Sequence, residues 1–292
     1  NVADSDMIYA YLSKLGVTDL DYVVGTHAHE DHMGGLSGAL TKAKVGKIYA
    51  PSAGSDAAFY TNFKNLAAKQ GLSLQVPEKN ESFALGNARV TLMTPAQKDP
   101  DNLNNTSILV KVVCGSTSFL FTGDAEREEE QDILSQNLDL DATVLKAGHH
   151  GSDTSSSYVF LREVMPEYVV ISVGKNNSYG HPGEDALSRF RDAGAKVYRT
   201  DMQGDITFES DGTALTVATS KNENAATNPT ESSTASTEAA NPQTGQYIGN
   251  VNSQKFHLPA CRSLPAENNR VYFSDRMTAV AQGYDPCGIC KP

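Results

Sequence analysis

Three histidines and an aspartate within six residues constrain this chain more than any other feature of it. Residues 26–35 read Thr-His-Ala-His-Glu-Asp-His-Met-Gly-Gly and follow the apolar run Leu20, Tyr22, Val23 and Val24. A short apolar run closed by Gly25 reads as a buried strand. The cluster therefore lies on the loop leaving that strand's carboxyl end. Residues 33–40 read as the helix that follows, with Gly34 and Gly35 permitting close backbone approach in its first turn. Neutral imidazole and carboxylate are ligands that zinc, manganese and iron share. Alternate residues on an extended loop point the same way, so His27 and His29 suit one ion, while Asp31 and His32 turn towards a second.

The rest of the chain repeats the pattern of a strand emptying into a polar group. Residues 108–113 and 118–122 are apolar runs joined by Gly-Ser-Thr, a predicted hairpin that ends in Gly123-Asp124. Residues 142–146 form a run that leads to Gly148-His149-His150-Gly151, and 168–173 one that leads to His181-Pro182. Of the seven histidines, six follow a strand of this large region and the seventh, His257, lies near the C-terminus. Between these sites the periodicity predicts helices over 4–15, 56–70, 126–136 and 185–193. In the first, Met7, Ile8, Tyr11, Leu12 and Leu15 share one face, and in the second Phe59, Phe63, Leu66 and Ala67 do. The acidic run in 126–136 reads as a solvated face.

The formal charge of −11 does not suit a general nucleic-acid binder, although bound divalent ions can reverse a local field. No apolar segment reaches transmembrane length, and no charged and apolar leader precedes Asn1. Composition changes sharply over 219–245, which is Asn, Thr, Ser, Ala, Glu and Pro with little to bury and is expected to be a disordered linker. It separates a region of 1–218 from a small module at 246–292. There His257-x3-Cys261 and Cys287-x2-Cys290 supply the four ligands of a closed tetrahedral zinc site. A module of this size buries too little to hold itself together without such a staple. Cys114, in an apolar strand, reads as a small core residue.

His27-x-His29-x-Asp31-His32 followed by Gly-Gly resembles the signature of the metallo-β-lactamase superfamily. That resemblance implies an α/β fold, an αβ/βα four-layer sandwich with a metal centre at one edge of two facing sheets. Members usually begin with strands ahead of the first helix, so the N-terminal strands are expected to be missing here. Asp124 resembles the aspartate that bridges both metals, and read alone it is a helix N-cap. The loop before it, 102–107, carries no histidine, whereas His149-His150 is extra. This combination is similar to the branch containing the metal-hydrolase domain of the DNA-uptake protein ComEC and its secreted relatives. The resemblance implies His27, His29 and His149 on one ion and Asp31, His32 and His181 on the other, bridged by Asp124, with His149 and His150 interchangeable at this level. The small module is similar to the metal-binding domain of the Ada DNA-repair protein. Ada has a methyl-accepting cysteine at the position of His257, so the likeness implies a zinc-stapled α+β fold and argues against methyl transfer.

The reading is a binuclear hydrolase, a phosphodiesterase or nuclease using two divalent ions (zinc or manganese), with one structural zinc in the tail. Water shared by two ions loses a proton near neutral pH and becomes the nucleophile, and Asp31 and Asp124 hold the ions in place. His150 or Lys146 is the expected donor to a phosphoryl oxygen. Phosphocholine esters, lactones and thioesters are alternative substrates, and a non-catalytic module that binds DNA through the tail is the alternative of another class. The resemblance places the protein outside the cell or at its surface.

Overall fold

The computed structural model describes residues 2–96, 101–228, 247–259, 261, 263–287 and 290. It opens with helix α1 (Val2–Lys14), followed by strand β1 (Asp19–Val24), the short helices α2 (Glu30–Met33) and α3 (Leu36–Lys42), and β2 (Lys44–Tyr49). Helix α4 (Ala58–Lys69) leads to β3 (Leu74–Gln75), and β1, β2 and β3 form a parallel sheet in that order. The expected single helix over 33–40 is thus two, broken at Gly34-Gly35. The break lets α1 lie directly on α3: a Cβ at Gly38 would stand 2.0 Å from the Ser5 carbonyl oxygen.

A second sheet of seven strands runs β10-β9-β8-β7-β6-β5-β4. Its strands are β4 (Ser82–Leu85), β5 (Ala88–Met93), β6 (Leu109–Cys114), β7 (Thr117–Phe121), β8 (Val144–Lys146), β9 (Tyr168–Ile171) and β10 (Lys196–Arg199). From β4 to β7 the pairing is antiparallel, and from β7 to β10 it is parallel. Helices α5 (Arg127–Ser135), α6 (Tyr158–Val164) and α7 (Glu184–Asp192) supply the crossovers. Parallel strands send all their carboxyl ends to one edge, which is where Asp124, His149, His150 and His181 emerge.

Three apolar clusters define the layers. Tyr49, Val90, Leu92 and Ile108, with Tyr22 and Phe83, join the inner faces of the two sheets, and the Tyr22 and Phe83 rings stack 3.9 Å apart. Met33, Ile48 and Phe63 pack α2, α3 and α4 on the outer face of the first sheet. Leu120, Leu145, Phe160, Val169 and Phe190 pack α5, α6 and α7 on the second. Each fully buried Ile, Leu or Phe in these layers contributes roughly 1.5–3 kcal/mol. The α/β four-layer arrangement expected from the motif is the one observed.

Two expected helix faces are corrected. Met7, Tyr11 and Leu15 of α1 are 64%, 61% and 57% exposed, because the helix rests instead on Asp4, Ser5 and Ile8, where the α3 glycines allow close approach. The acidic run of α5 is not wholly solvated: Glu129 and Glu130 are each 2% exposed. Glu130 accepts from the Ser156 and Ser157 amides at the start of α6, and Glu129 accepts from the Ser107 amide. These bonds compensate part of the cost of burial, which pushes both carboxyls up.

After β10 come α8 (Thr200–Gln203) and a hairpin of β11 (Ile206–Ser210) and β12 (Leu215–Thr219). The chain stays on the domain beyond residue 218. Thr227 Oγ1 donates to the Val197 carbonyl at 2.6 Å and Asn228 Nδ2 to that of Leu187 at 2.8 Å. The remaining expected linker, 229–245, lies outside the described residues.

The C-terminal module is a four-stranded sheet, β15-β13-β14-β16, built from β13 (Tyr247–Asn250), β14 (Lys255–His257), β15 (Arg270–Phe273) and β16 (Asp285–Pro286). Helix α9 (Arg276–Ala281) covers it, and Phe256, Phe273 and Ala279 form a small core. Arg276 at the head of α9 pairs with Asp192 of α7 at 2.7 Å and donates to the Tyr158 hydroxyl of α6.

Candidate metal centre

The geometry begins with three backbone ties. Gly25 N–H donates to Tyr49 O at 3.0 Å, which holds the end of β1 beside β2. Ile108 N–H donates to Thr26 O at 2.9 Å, which fixes the histidine loop against the second sheet. Gly123 has φ +54°, and a side chain there would meet Ser107 Oγ at 2.7 Å, so only glycine lets Asp124 enter under that loop. The Asp124 amide then donates to Ser107 Oγ at 3.1 Å.

The result is a convergence of imidazoles and carboxylates at the sheet edge. One ligand atom each from Asp31, His32, Asp124 and His150 lies within 4.8 Å of the others. His32 Nε2 stands 3.2 Å from Asp124 Oδ2 and 3.1 Å from His150 Nε2. His150 Nε2 stands 3.2 Å from Asp31 Oδ2. The Nδ1 of His150 faces the Ser172 carbonyl at 2.7 Å; a carbonyl only accepts, so Nδ1 carries the proton of the neutral ring, and Nε2 faces the cluster, where it donates to Asp31 only when the ring is protonated. His27 is fully buried, with Nε2 3.7 Å from Asp124 Oδ2. Both His27 Nε2 and Asp124 Oδ1 are buried without a hydrogen-bond partner. Buried polar groups are rarely left so. This donor set of neutral imidazole and carboxylate, with two orphaned atoms at its centre, fits divalent metal ions.

The electrostatics agree with that reading. Burial, reinforced by the neighbouring His32, lowers His27 to about 3, so its imidazole is neutral and able to act as a ligand at ordinary pH. The hydrogen bond with His150 lowers Asp31 to about 2. Burial opposes ionisation of Asp124, but the hydrogen bond from His32 and the surrounding imidazoles outweigh it and hold the carboxyl well below its usual range. Burial also lowers Lys146, whose ammonium donates to the Ala147 carbonyl at 2.7 Å.

The remaining histidines are placed around this cluster. His29 precedes α2, with its ring edge-on to His27 at 4.8 Å. His149, expected as a ligand beside His27 and His29, turns away from the four-residue cluster, and His150 enters it. Both residues have positive φ, 46° and 54°, and this tight turn splays the two rings apart. His149 Nδ1 lies 3.1 Å from Glu126 Oε1, and its ring meets that of His181 edge-on at 5.4 Å. His181 also stacks on Tyr179. Both ring nitrogens of His150 are engaged, Nδ1 with the Ser172 carbonyl and Nε2 with His32 and Asp31.

Sequence reasoning passed over the loop 102–107 because it holds no histidine. Its polar residues frame the site: Asn102 and Asn104 donate to the Glu126 carboxylate at 2.8 and 3.4 Å, and Asn105 Oδ1 accepts from the Glu126 amide at 3.1 Å. The signal was the run Asn-Leu-Asn-Asn-Thr-Ser itself, too polar for a segment between two buried strands.

In the C-terminal module His257, Cys261, Cys287 and Cys290 bring ligand atoms within 4.8 Å of one another. His257 Nε2 is buried without a partner, and burial pushes the Cys290 thiol up to about 12. Thiols held together in this way favour a thiolate-binding ion such as zinc. No helix among the described residues is long and apolar enough to cross a membrane.

Comparison with known proteins places these features in a family. The profile described as the metallo-beta-lactamase superfamily matches residues 3–175, and that described as the metal binding domain of Ada matches residues 235–292. ComE operon protein 3 of Bacillus subtilis is 29% identical over 69% of this chain and 26% of its own length. Competence protein ComA of Neisseria gonorrhoeae is 34% identical over 68% of this chain and likewise 26% of its own length. The chain thus spans about a quarter of these relatives. The solved metallo-beta-lactamase fold protein YhfI from Bacillus subtilis superimposes with a TM-score of 0.41 at 14% identity, over 62% of this chain and 74% of that one. With the first profile covering more than half its length, this chain belongs to the metallo-β-lactamase superfamily.

Proposed function

We propose that the protein is a binuclear phosphodiesterase or nuclease whose two ions lie at this sheet edge. The observation that carries the reading is the pair of orphaned atoms, His27 Nε2 and Asp124 Oδ1, beside four converging ligands. One ion would be held by Asp31, His32, Asp124 and His150. The other would be held by His27, His29 and the unpartnered Oδ1 of Asp124. Such ions supply charge neutralisation on phosphoryl oxygens and a water that ionises near neutral pH. The chain's own residues hold and orient. Ser107 and Gly123 fix Asp124 from below, the Ser172 carbonyl fixes the His150 ring, and burial keeps His27 unprotonated. A nucleic-acid substrate is supported by the names of the competence-protein relatives and by the Ada-like tail, whose closed zinc site we assign a structural role.

The test is elemental analysis of the purified protein followed by assay on bis-nitrophenyl phosphate and on single- and double-stranded DNA. Two ions per hydrolase domain with phosphodiester cleavage is the expected result. Two ions with no phosphodiesterase activity, and turnover of a lactone, thioester or phosphocholine ester instead, would move the substrate class and leave the site assignment standing.

A further inference from the structure

The strongest unassigned feature is Glu126, one residue past Ala125 at the mouth of the centre. It is the hub of a polar network that the metal reading does not use. Its Oε1 receives Thr154 Oγ1 at 3.0 Å and Asn104 Nδ2 at 3.4 Å, and its Oε2 receives Asn102 Nδ2 at 2.8 Å. The same Oε1 lies 3.1 Å from His149 Nδ1. The hydroxyl proton of Thr154 is already committed to Glu126, so Thr154 Oγ1, 3.4 Å from His149 Nδ1, also presents that nitrogen with a lone pair. Every neighbour of Nδ1 is an acceptor. The proton of a neutral His149 must therefore sit on Nδ1, and Nε2 is left with its lone pair exposed beside His181.

We infer that Glu126 is a positioning residue that fixes the tautomer and the ring direction of His149, so that Nε2 is presented to a divalent ion. It does for His149 what the Ser172 carbonyl does for His150: the two rings of one dipeptide are each locked through Nδ1, by different partners, with Nε2 outward. The αL turn at 149–150 makes separate partners necessary, because it points the rings apart. A ligating imidazole anchored through its second nitrogen gains both orientation and basicity. The inference rests on the proposed metal centre for the ion but not for the tautomer, which is a property of the metal-free protein.

Two measurements separate those parts. Nitrogen-15 spectra of the histidine rings in metal-free protein, with His149 assigned through His149→Ala, should show Nδ1 protonated and Nε2 unprotonated. Glu126→Ala should move that ring towards the Nε2-protonated form, whereas Asn102→Ala, which removes a contact to the other carboxylate oxygen, should leave it unchanged. Competition titration with zinc or manganese should then show one ion weakened about 10–100-fold in Glu126→Ala. His149→Ala should weaken the same ion, and the double variant should be no worse than His149→Ala alone. Where alanine loosens the 101–107 loop, the same cycle run on Glu126→Met keeps the side-chain length without an acceptor and reads the same coupling. Additive losses in the cycle, or an unaltered ring tautomer in Glu126→Ala, overturn the role given to Glu126. A wild-type protein that binds one ion, with the tautomer shift intact, overturns the two-ion reading and leaves the Glu126 assignment in place.

Discussion

His27 makes the metal-free protein acid-sensitive in a window the structure defines. Its ring is fully buried, and burial with the nearby His32 lowers its pKa from 6.5 to about 3. Between those values the unfolded chain takes up a proton at this position and the folded chain does not. Stability therefore rises with pH across the window: the contribution is complete above about 6.5, is lost as pH falls, and stops changing below about 3. The slope approaches about 1.4 kcal/mol per pH unit once the unfolded ring is fully charged, and the integrated change between pH 6.5 and 4.5 is about 2 kcal/mol. Other groups act in or near the same range. The raised carboxyls of Glu129 and Glu130 favour folding as pH falls, in opposition to His27. His150 is raised by its hydrogen bond with Asp31, so its contribution is complete below 6.5 and is lost as pH rises through its folded value. Asp31 and Asp124, both lowered, lose their contributions only as pH falls beneath the ordinary carboxylate range. Comparison with His27→Asn removes these common terms. The assay is urea unfolding in chelator, read by hydrogen exchange of peptides from β7 and β8 so that the C-terminal module does not enter. The wild-type-minus-variant difference should shrink by about 2 kcal/mol from pH 6.5 to 4.5. A difference that stays flat across that range would refute a buried neutral imidazole at the centre.

Three further outcomes are expected. Asp124→Asn keeps the side-chain shape but not the charge that draws two cations together; it should leave the circular dichroism spectrum unchanged, lower the bound ions per hydrolase domain, and reduce bis-nitrophenyl phosphate turnover by at least ~100-fold. Mild chelation should remove metal in two phases, the sheet-edge ions before the thiolate-held tail ion, and His257→Ala should loosen the tail while small-ester hydrolysis persists; loss in a single phase would contradict the division. Glu130→Ala leaves the Ser156 and Ser157 amides without their buried acceptor, and should cost about 2–3 kcal/mol in urea unfolding with no change in metal content.

Much of the framework was legible because it follows from local pattern. The apolar runs at β1, β6, β7, β8 and β9 sit where their hydrophobicity placed them, and β1, β7, β8 and β9 lead into the histidines and aspartate of the sheet edge. Two helix faces were misread for a shared reason. Periodicity says which residues of a helix are alike, and only the neighbour decides which side is covered. In α1 the glycines of α3 make a closer seat for Ser5 and Ile8 than the Met7, Tyr11, Leu15 stripe finds anywhere. In α5 a run of like charge hid two acceptors, because the amides that need them are distant in sequence: Ser107 lies 22 residues before Glu129, and Ser156 and Ser157 lie 26 and 27 residues after Glu130.

The site shows the same limit at finer scale. Spacing pointed to imidazoles and carboxylates, and the loop after β1 alone carries His27, His29, Asp31 and His32. It could not divide labour between His149 and His150, since adjacent residues differ only in the direction the backbone gives them. Two consecutive positive-φ residues set that direction, and nothing in Gly-His-His-Gly announces them beyond the flanking glycines. Once the turn is formed the assignment follows from what waits at each Nδ1: a carbonyl at Ser172 on one side, a carboxylate at Glu126 on the other. Glu126 in turn depends on three asparagines that no ligand motif contains. The chemistry of this edge is therefore written twice: once in the imidazoles, which a sequence displays, and once in the acceptors behind them, which only the fold brings near.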